Sequence, residues 1–269
     1  MQDLQVAVVQ MVSGTDVAAN IATMCRLVRE AAAGGAQWVL LPEYWPIMGQ
    51  AETDKLAYAE ILGQGVLQDA LSGLARELGI VLFGGTVPLQ GPQSGKVLNT
   101  LLVYGANGVL LGRYDKMHLF GFTGLGERYA EADTISRGEA VPQLRVDNIA
   151  VAQGVCYDLR FPEFFRAQQP FEVLLLPAAF THTTGQAHWE ILLRARAIEN
   201  QCFVLASAQG GLHQNGRRTF GHSMIIDPWG EVLAVLPQDE GVAAATLKGS
   251  LLASVRSKLP ALQHHRLLP

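Results

Sequence analysis

Three stretches of the chain place a reactive side chain directly after an apolar run. LLPEYW carries Glu43, LGRYDKMHLF carries Lys116, and IAVAQGVCYDLRFPE carries Cys156. In α/β sheets, functional groups gather at the C-terminal ends of strands, where side chains leave the core. Taken singly, each has an ordinary reading: Glu43 and Lys116 as surface charges, Cys156 as a small, inert core residue. Taken together they describe one reaction. A carboxylate with a raised pKa removes the proton from a thiol nucleophile. A fixed ammonium, joined by the backbone N–H of Tyr157 just after the nucleophile, stabilises the oxyanion of a tetrahedral intermediate. Such a set would hydrolyse an amide or a nitrile without a metal. His118, two residues beyond Lys116, offers a competing Cys–His pair, although seven histidines supply many accidental pairs.

These groups have to be positioned by buried strands and amphipathic helices. Apolar, β-branched runs predict strands over Leu4–Gln10, Trp38–Leu41, Ile80–Phe83, Leu98–Tyr104, Val109–Tyr114, Ile149–Val155, Val173–Leu176, Cys202–Ala208, Ser223–Asp227, Glu231–Val235 and Val242–Leu247. Helical spacing predicts helices over Asn20–Ala33, Val66–Leu78, Phe161–Gln168, Gln186–Asn200 and Leu251–Lys258. Strands outnumber helices, and hairpins occur beside strand–helix–strand units, which favours a mixed-sheet α/β layered fold. With no repeat or linker, residues 1–269 read as one domain. Residues 119–143 carry no clear period, and a segment of that length inside a compact domain is often a functional loop or lid.

Composition narrows the function classes. Hydrophobic residues make up 49% of the chain and charged residues 16%, as in a protein with a large core. The net charge is −4 with no basic stripe, which argues against nucleic acid as a partner. No apolar run reaches the ~18 residues of a membrane span. The N-terminus does not read as a signal peptide. Three cysteines, Cys25, Cys156 and Cys202, suit free thiols in a reducing cytoplasm rather than a disulfide framework. No CxxC or HExxH is present, and His264 and His265 stand in a tail without cysteines nearby, so no metal site is expected.

The motifs resemble those of the nitrilase superfamily of carbon–nitrogen hydrolases: LLPEYW its glutamate motif, RYDKMHLF its lysine motif, GVCYDLRFPE its cysteine motif, in the family's order. The resemblance runs from end to end. It implies a four-layer αββα sandwich with two mixed sheets, no cofactor, a small-molecule amide substrate, and a homodimer or larger assembly built through the sheet-covering helices. It also implies Cys156 as nucleophile, Glu43 as general base and Lys116 as oxyanion stabiliser. A second glutamate in the following loop falls on Glu131, with Glu127 its rival. HWEILLRARAIENQCFV, GHSMIIDPWGEVLA and KLPALQHHR are similar to the Nit branch, most of all to deaminated-glutathione amidases. Their relatives the ω-amidases, acting on 2-oxoglutaramate or 2-oxosuccinamate, are the nearby alternative; a nitrilase and a non-catalytic scaffold are more distant ones. Either amidase needs an anion site for the oxo-acid carboxylate.

For that anion site Arg160 is a candidate through its bidentate fork, unless it pairs with Asp158 or Glu163. Phe180 and Thr181 lie at the expected pocket rim, where Thr181 also suits a helix cap. Gly121 stands where relatives often carry Asp, which implies an altered pocket wall. Arg194 and Arg196, with Glu190 and Glu199, read as an ion-pair network or subunit surface. Cys25 and Cys202 read as inert core thiols, and Asp227-Pro228-Trp229-Gly230 as a turn.

Overall fold

The computed structural model describes residues 1–124, 127–264 and 266. Leu125 and Gly126 of the glycine-rich segment, His265 of the tail and the side chain of Glu127 lie outside the described residues.

Two sheets form the centre. In the first, the spatial order is Gly241–Leu247, Leu4–Gln10, Trp38–Leu40, Val81–Phe83, Val97–Tyr104 and Val87–Gln90, with Leu110–Asp115 also paired to Val97–Tyr104. In the second it is Val232–Leu236, Ser223–Ile226, Phe203–Ala208, Val173–Ala178, Ile149–Gln153 and Leu144–Val146. Both sheets are parallel at the centre and antiparallel towards the edges. The two-residue period of a strand sorts the side chains. Val6, Val8, Trp38, Leu40 and Phe83 enter the core shared with the second sheet, while Ala7, Val9, Val39 and Leu82 enter a separate core beneath two helices. Strands buried on both faces are therefore almost wholly apolar, as the sequence reading required.

The helices make the outer layers. Helix α1 (Val17–Ala33) buries Met24, Leu27, Val28 and Ala31 along one stripe, and α2 (Val66–Leu78) buries Leu67, Leu71, Leu74 and Ala75. Helix α3 (Pro162–Arg166) and helix α4 (His182–Asn200) cover the second sheet through Phe164, Phe165, Trp189, Leu193 and Ala197. The expected αββα sandwich with two mixed sheets is the fold observed. A last helix, α5 (Gly249–Lys258), adds Leu252 to the core. Among the described residues no helix is long and apolar enough to cross a membrane. The outer face of α4 leaves Ile191 and Ile198 exposed, on the kind of sheet-covering helix where the resemblance placed a subunit contact.

Differences from the sequence reading have local causes. Helix α1 begins at Val17 because the Asp16 side chain caps it, accepting from the Ala18 and Ala19 amides. Helix α4 begins at His182, four residues before the predicted start, because Thr181 caps a first turn (HTTG) that has no apolar period. Residues 119–143 are not a bare loop: Gly121–Gly124 pairs antiparallel with Glu127–Ala130, and a 3₁₀ turn over Glu131–Asp133 follows. Such short strands hold too few alternating positions to be recognised by period.

Candidate active site

Each reactive residue sits just past a strand. Glu43 follows Trp38–Leu40, Lys116 follows Leu110–Asp115, Cys156 follows Ile149–Gln153 and Glu131 follows Glu127–Ala130. Their strands belong to both sheets and to the small two-stranded sheet, so the cluster forms where the sandwich layers meet.

The close approach at Glu43 depends on Gly85, which has φ +56°; a Cβ there would stand 2.1 Å from the Pro42 carbonyl oxygen. Gln209 supports the same backbone from the second sheet, its Nε2 donating to the Glu43 carbonyl at 3.1 Å. The Glu43 carboxylate is fully buried. Its Oε1 accepts from Lys116 Nζ at 2.9 Å and Asn99 Nδ2 at 2.8 Å, and its Oε2 from the Ala179 N–H at 2.8 Å. The Cys156 thiol lies near enough to the same carboxylate for the two to interact electrostatically.

Lys116 is fully buried between two acids. Its Nζ lies 2.9 Å from Glu43 and 2.8 Å from Glu131 Oε2. Glu131 also accepts from the Tyr44 hydroxyl at 2.8 Å and the Phe120 N–H at 2.7 Å. Glu131 is thus part of the cluster, and the side chain of its rival Glu127 lies outside the described residues.

Cys156 opens a 3₁₀ turn with φ +49°, in the left-handed region. For a residue with a Cβ this costs roughly 1–3 kcal/mol. Asp158 holds the turn: its carboxylate accepts from the Val155 N–H at 2.8 Å, the Tyr114 hydroxyl at 2.7 Å and the His118 N–H at 3.1 Å. At the first turn of a helix the early amides lack intrahelical acceptors, and the Tyr157 N–H occupies that position beside the thiol.

Burial and charge set the protonation states. Burial, then the neighbouring Glu43 charge, pushes the Cys156 thiol well above its ordinary range. Burial also raises Glu43 above the usual carboxylate range, although Lys116 opposes it. Burial works against the charge of Glu131 too, but the Lys116 ammonium and two further donors, the Phe120 N–H and the Tyr44 hydroxyl, outweigh it, and its pKa falls. Burial disfavours the Lys116 ammonium, yet Glu131 and Glu43 together hold its pKa above the ordinary lysine value. The resting site is thus a neutral thiol against a carboxylate of raised basicity, with one permanent ammonium and one permanent carboxylate behind them.

A family model described as carbon–nitrogen hydrolase matches residues 5–257. The chain belongs to the carbon–nitrogen hydrolase family. It is 37% identical to a deaminated glutathione amidase of Yersinia enterocolitica, over 99% of this chain and 94% of that protein. It is 35% identical to an omega-amidase of Xenopus tropicalis, over 99% and 96%. A solved amidase of Nesterenkonia, with acrylamide added at its active site cysteine, superposes with a TM-score of 0.79 at 26% identity, over 97% of this chain and 99% of that one. The chain is a hydrolase of carbon–nitrogen bonds that acts on amides.

In this carbon–nitrogen hydrolase the remaining predicted residues divide clearly. Cys156, Tyr157, Arg160, Phe180 and Thr181 line one narrow recess together with Phe120 and Ala179. Arg160 has no ion pair among the described residues, which removes the pairing with Asp158 or Glu163. Its guanidinium lies 5.8 Å from the Tyr157 ring centroid and 5.5 Å from that of Phe180, with His188 Nδ1 3.3 Å away. Thr181 is chiefly the cap of α4, accepting from the Thr184 N–H at 3.3 Å. Phe180 packs on Trp189 at 4.8 Å. His118 bonds Asp158 at 2.7 Å and stacks on Phe161 at 3.9 Å; it holds the turn and does not serve as partner to the thiol.

Arg196 reaches Glu199 and the Leu159 carbonyl, and Arg194 reaches Glu190 and the Gly230 carbonyl, so both bind α4 to its surroundings. Cys202 is buried. Cys25 is only half-buried, a correction to its reading as a core thiol. Among the described residues no cluster of three or more His, Cys, Asp or Glu is placed to hold a metal ion. The sequence reading missed Asn99, Tyr44 and Asp158. Asn99 had a signal, a lone amide inside the apolar strand VLNTLLVY.

Proposed function

We propose that this enzyme is a thiol amidase whose substrate is a 2-oxo acid amide, with deaminated glutathione as the best fit. The observation that carries the mechanism is the buried Glu43 carboxylate, bonded to the Lys116 ammonium at 2.9 Å and near enough to the Cys156 thiol for its charge to raise the thiol pKa. As Cys156 Sγ attacks the amide carbonyl, Glu43 takes the thiol proton, so a thiolate forms only during attack. The oxyanion is held by Lys116 Nζ and the Tyr157 N–H. Glu43 returns the proton to the departing amine, which leaves a thioester. Water, deprotonated by Glu43, then hydrolyses the thioester and frees Cys156. Glu131 fixes Lys116 between the two acids, and Arg160 takes the oxo-acid carboxylate. A non-catalytic scaffold has little reason to keep such a cluster, because buried charges and a left-handed cysteine both cost stability.

The whole chain acts as one hydrolase domain in this reading, supported by the span of the family match. We place it in the reducing cytoplasm, since its cysteines are unpaired; a disulfide in the native protein would count against that.

Substrate choice is tested by comparing kcat/KM for deaminated glutathione with that for 2-oxoglutaramate. The reading expects the former to be higher by at least about tenfold. A preference for 2-oxoglutaramate would make the enzyme an ω-amidase instead.

The protonation states predict the pH profile. Glu43 works as a base only when ionised, and its pKa is raised. Thus kcat/KM climbs with pH through an ionisation above the ordinary carboxylate value of about 4.3. Lys116 keeps its proton throughout, so it adds no alkaline loss below about pH 10. An acid limb at or below the ordinary value would contradict Glu43 as the base.

A further inference from the structure

A second cationic recess adjoins the cluster and is not used by the mechanism above. It encloses about 20 Å³ and is lined by Tyr44, Met48, Glu52, Lys55, Asn215 and Arg217, among others. Lys55 and Arg217 are mostly buried there, with side chains 10% and 14% exposed, whereas the single carboxylate that serves both, Glu52, is 60% exposed. Glu52 lies 2.7 Å from Lys55 Nζ and 3.6 Å from Arg217 Nη1. Two cations thus face inward with one carboxylate in ion-pair contact, and that one faces solvent, while the more distant Glu131 is already bound to Lys116. The Arg217 Nε is buried with no hydrogen-bond partner, a costly state for a charged donor unless a ligand completes it. Asn215 pins the arginine in place: its Oδ1 accepts from the Arg217 N–H at 2.9 Å, and its Nδ2 reaches the Gly49 carbonyl at 2.6 Å.

This recess connects to the thiol in two ways. The Tyr44 ring lies 5.3 Å from Lys55 Nζ, and its hydroxyl bonds Glu131, the partner of Lys116. Along a second path, Arg217 stands 5.0 Å over the Tyr129 ring, Tyr129 packs on Phe120 at 5.6 Å, and Phe120 on Tyr157 at 5.3 Å, where Arg160 begins. One aromatic wall therefore runs from Arg217 to Arg160 past the Cys156 recess.

The geometry points to Lys55 and Arg217 as a subsite for a carboxylate on the leaving group of the amide, opposite the oxo-acid carboxylate at Arg160. This rests on the amidase reading and sharpens it: the favoured substrate carries a negative charge at each end. A two-residue leaving group reaches about 7 Å beyond the scissile nitrogen, and such a group ending in glycine would present a planar carboxylate to the Arg217 fork.

The test compares 2-oxoglutaryl-Cys-Gly with the same compound ending in glycinamide. For the unaltered enzyme the amide-ended compound should show a KM raised by about 10–100-fold with kcat nearly unchanged, the loss expected for one charge-assisted contact. Lys55→Met and Arg217→Met should raise KM for the acid-ended compound and collapse the ratio between the two, while Lys55→Arg keeps it. Equal KM for both compounds in the unaltered enzyme, or an undiminished ratio in the variants, overturns the subsite. If neither compound is hydrolysed, the amidase reading fails by itself. Calorimetry with Cys-Gly and Cys-Gly amide then decides the subsite: only the acid binding supports it, and equal or absent binding of the two refutes it.

Discussion

Cys156→Ala is expected to lower turnover of deaminated glutathione by roughly 10⁴-fold or more, the scale on which removal of a nucleophile acts in other covalent hydrolases, while the folded protein survives. Cys156 lies 7% exposed at a strand end and its side chain is small. Removing the sulfur leaves the turn to Asp158, which accepts from three groups around it without using the thiol. Melting temperature should stay within a few degrees of the parent, and substrate binding by calorimetry should persist, because Arg160 is untouched. Retained turnover in the alanine variant would sink the mechanism. A collapsed fold would instead show that the thiol carries structural weight beyond its contacts.

Lys116→Met should harm both activity and stability. In the proposed mechanism the ammonium is one of two oxyanion donors, and loss of one such donor typically costs about 10²–10³ in kcat. Among the described residues it is also the one cation in ion-pair contact with Glu43 and Glu131. Breaking a buried ion pair from one side costs about 3–5 kcal/mol, equivalent to a melting midpoint lowered by roughly 5–15 °C in a chain of this size. The sign of the pH dependence follows. Without Lys116, both carboxyls ionise in the folded state only at raised pKa. The folded protein then holds protons that the unfolded chain releases, so stability falls as pH rises from about 4.5 through the raised folded values. The variant should therefore be closest to the parent near pH 5 and furthest from it near pH 8, as thermal unfolding would show. Adding Glu131→Gln should recover part of the lost stability and none of the lost activity. A variant equally stable at both pH values would mean that the acids are not paired as described.

Much of this was legible in the chain itself. Strands buried on both faces, such as Leu4–Gln10, leave continuous apolar runs, and a mixed-sheet layered α/β fold follows from how those runs alternate with amphipathic helices; the four-layer αββα order was implied only by the family resemblance. Glu43, Lys116 and Cys156 stood out because a charged or reactive side chain interrupts such a run at its end. What the chain did not disclose depends on contacts distant in sequence. Asp158 reads as an ordinary acid beside Arg160; only the fold shows that it serves Val155, Tyr114 and His118 and leaves the arginine unpaired at the thiol recess. Tyr44 is invisible as a link to Glu131, 87 residues away. The same holds for Lys55 and Arg217, which lie on separate segments and meet only through Glu52 and Tyr44. The pairing of Gly121–Gly124 with Glu127–Ala130 was missed for a different reason, since glycines and short strands leave no period to read.

The central claim is that Cys156 forms a thioester with the acyl half of an amide. Mass spectrometry of the quenched enzyme, taken during turnover of a slow 2-oxoglutaryl amide, tests it most directly. The account predicts an added 2-oxoglutaryl group, mapped by peptide digestion to the segment containing Cys156 and absent from Cys156→Ala. Turnover without an adduct at any quench time, or an adduct mapped to Cys25 or Cys202, would contradict it.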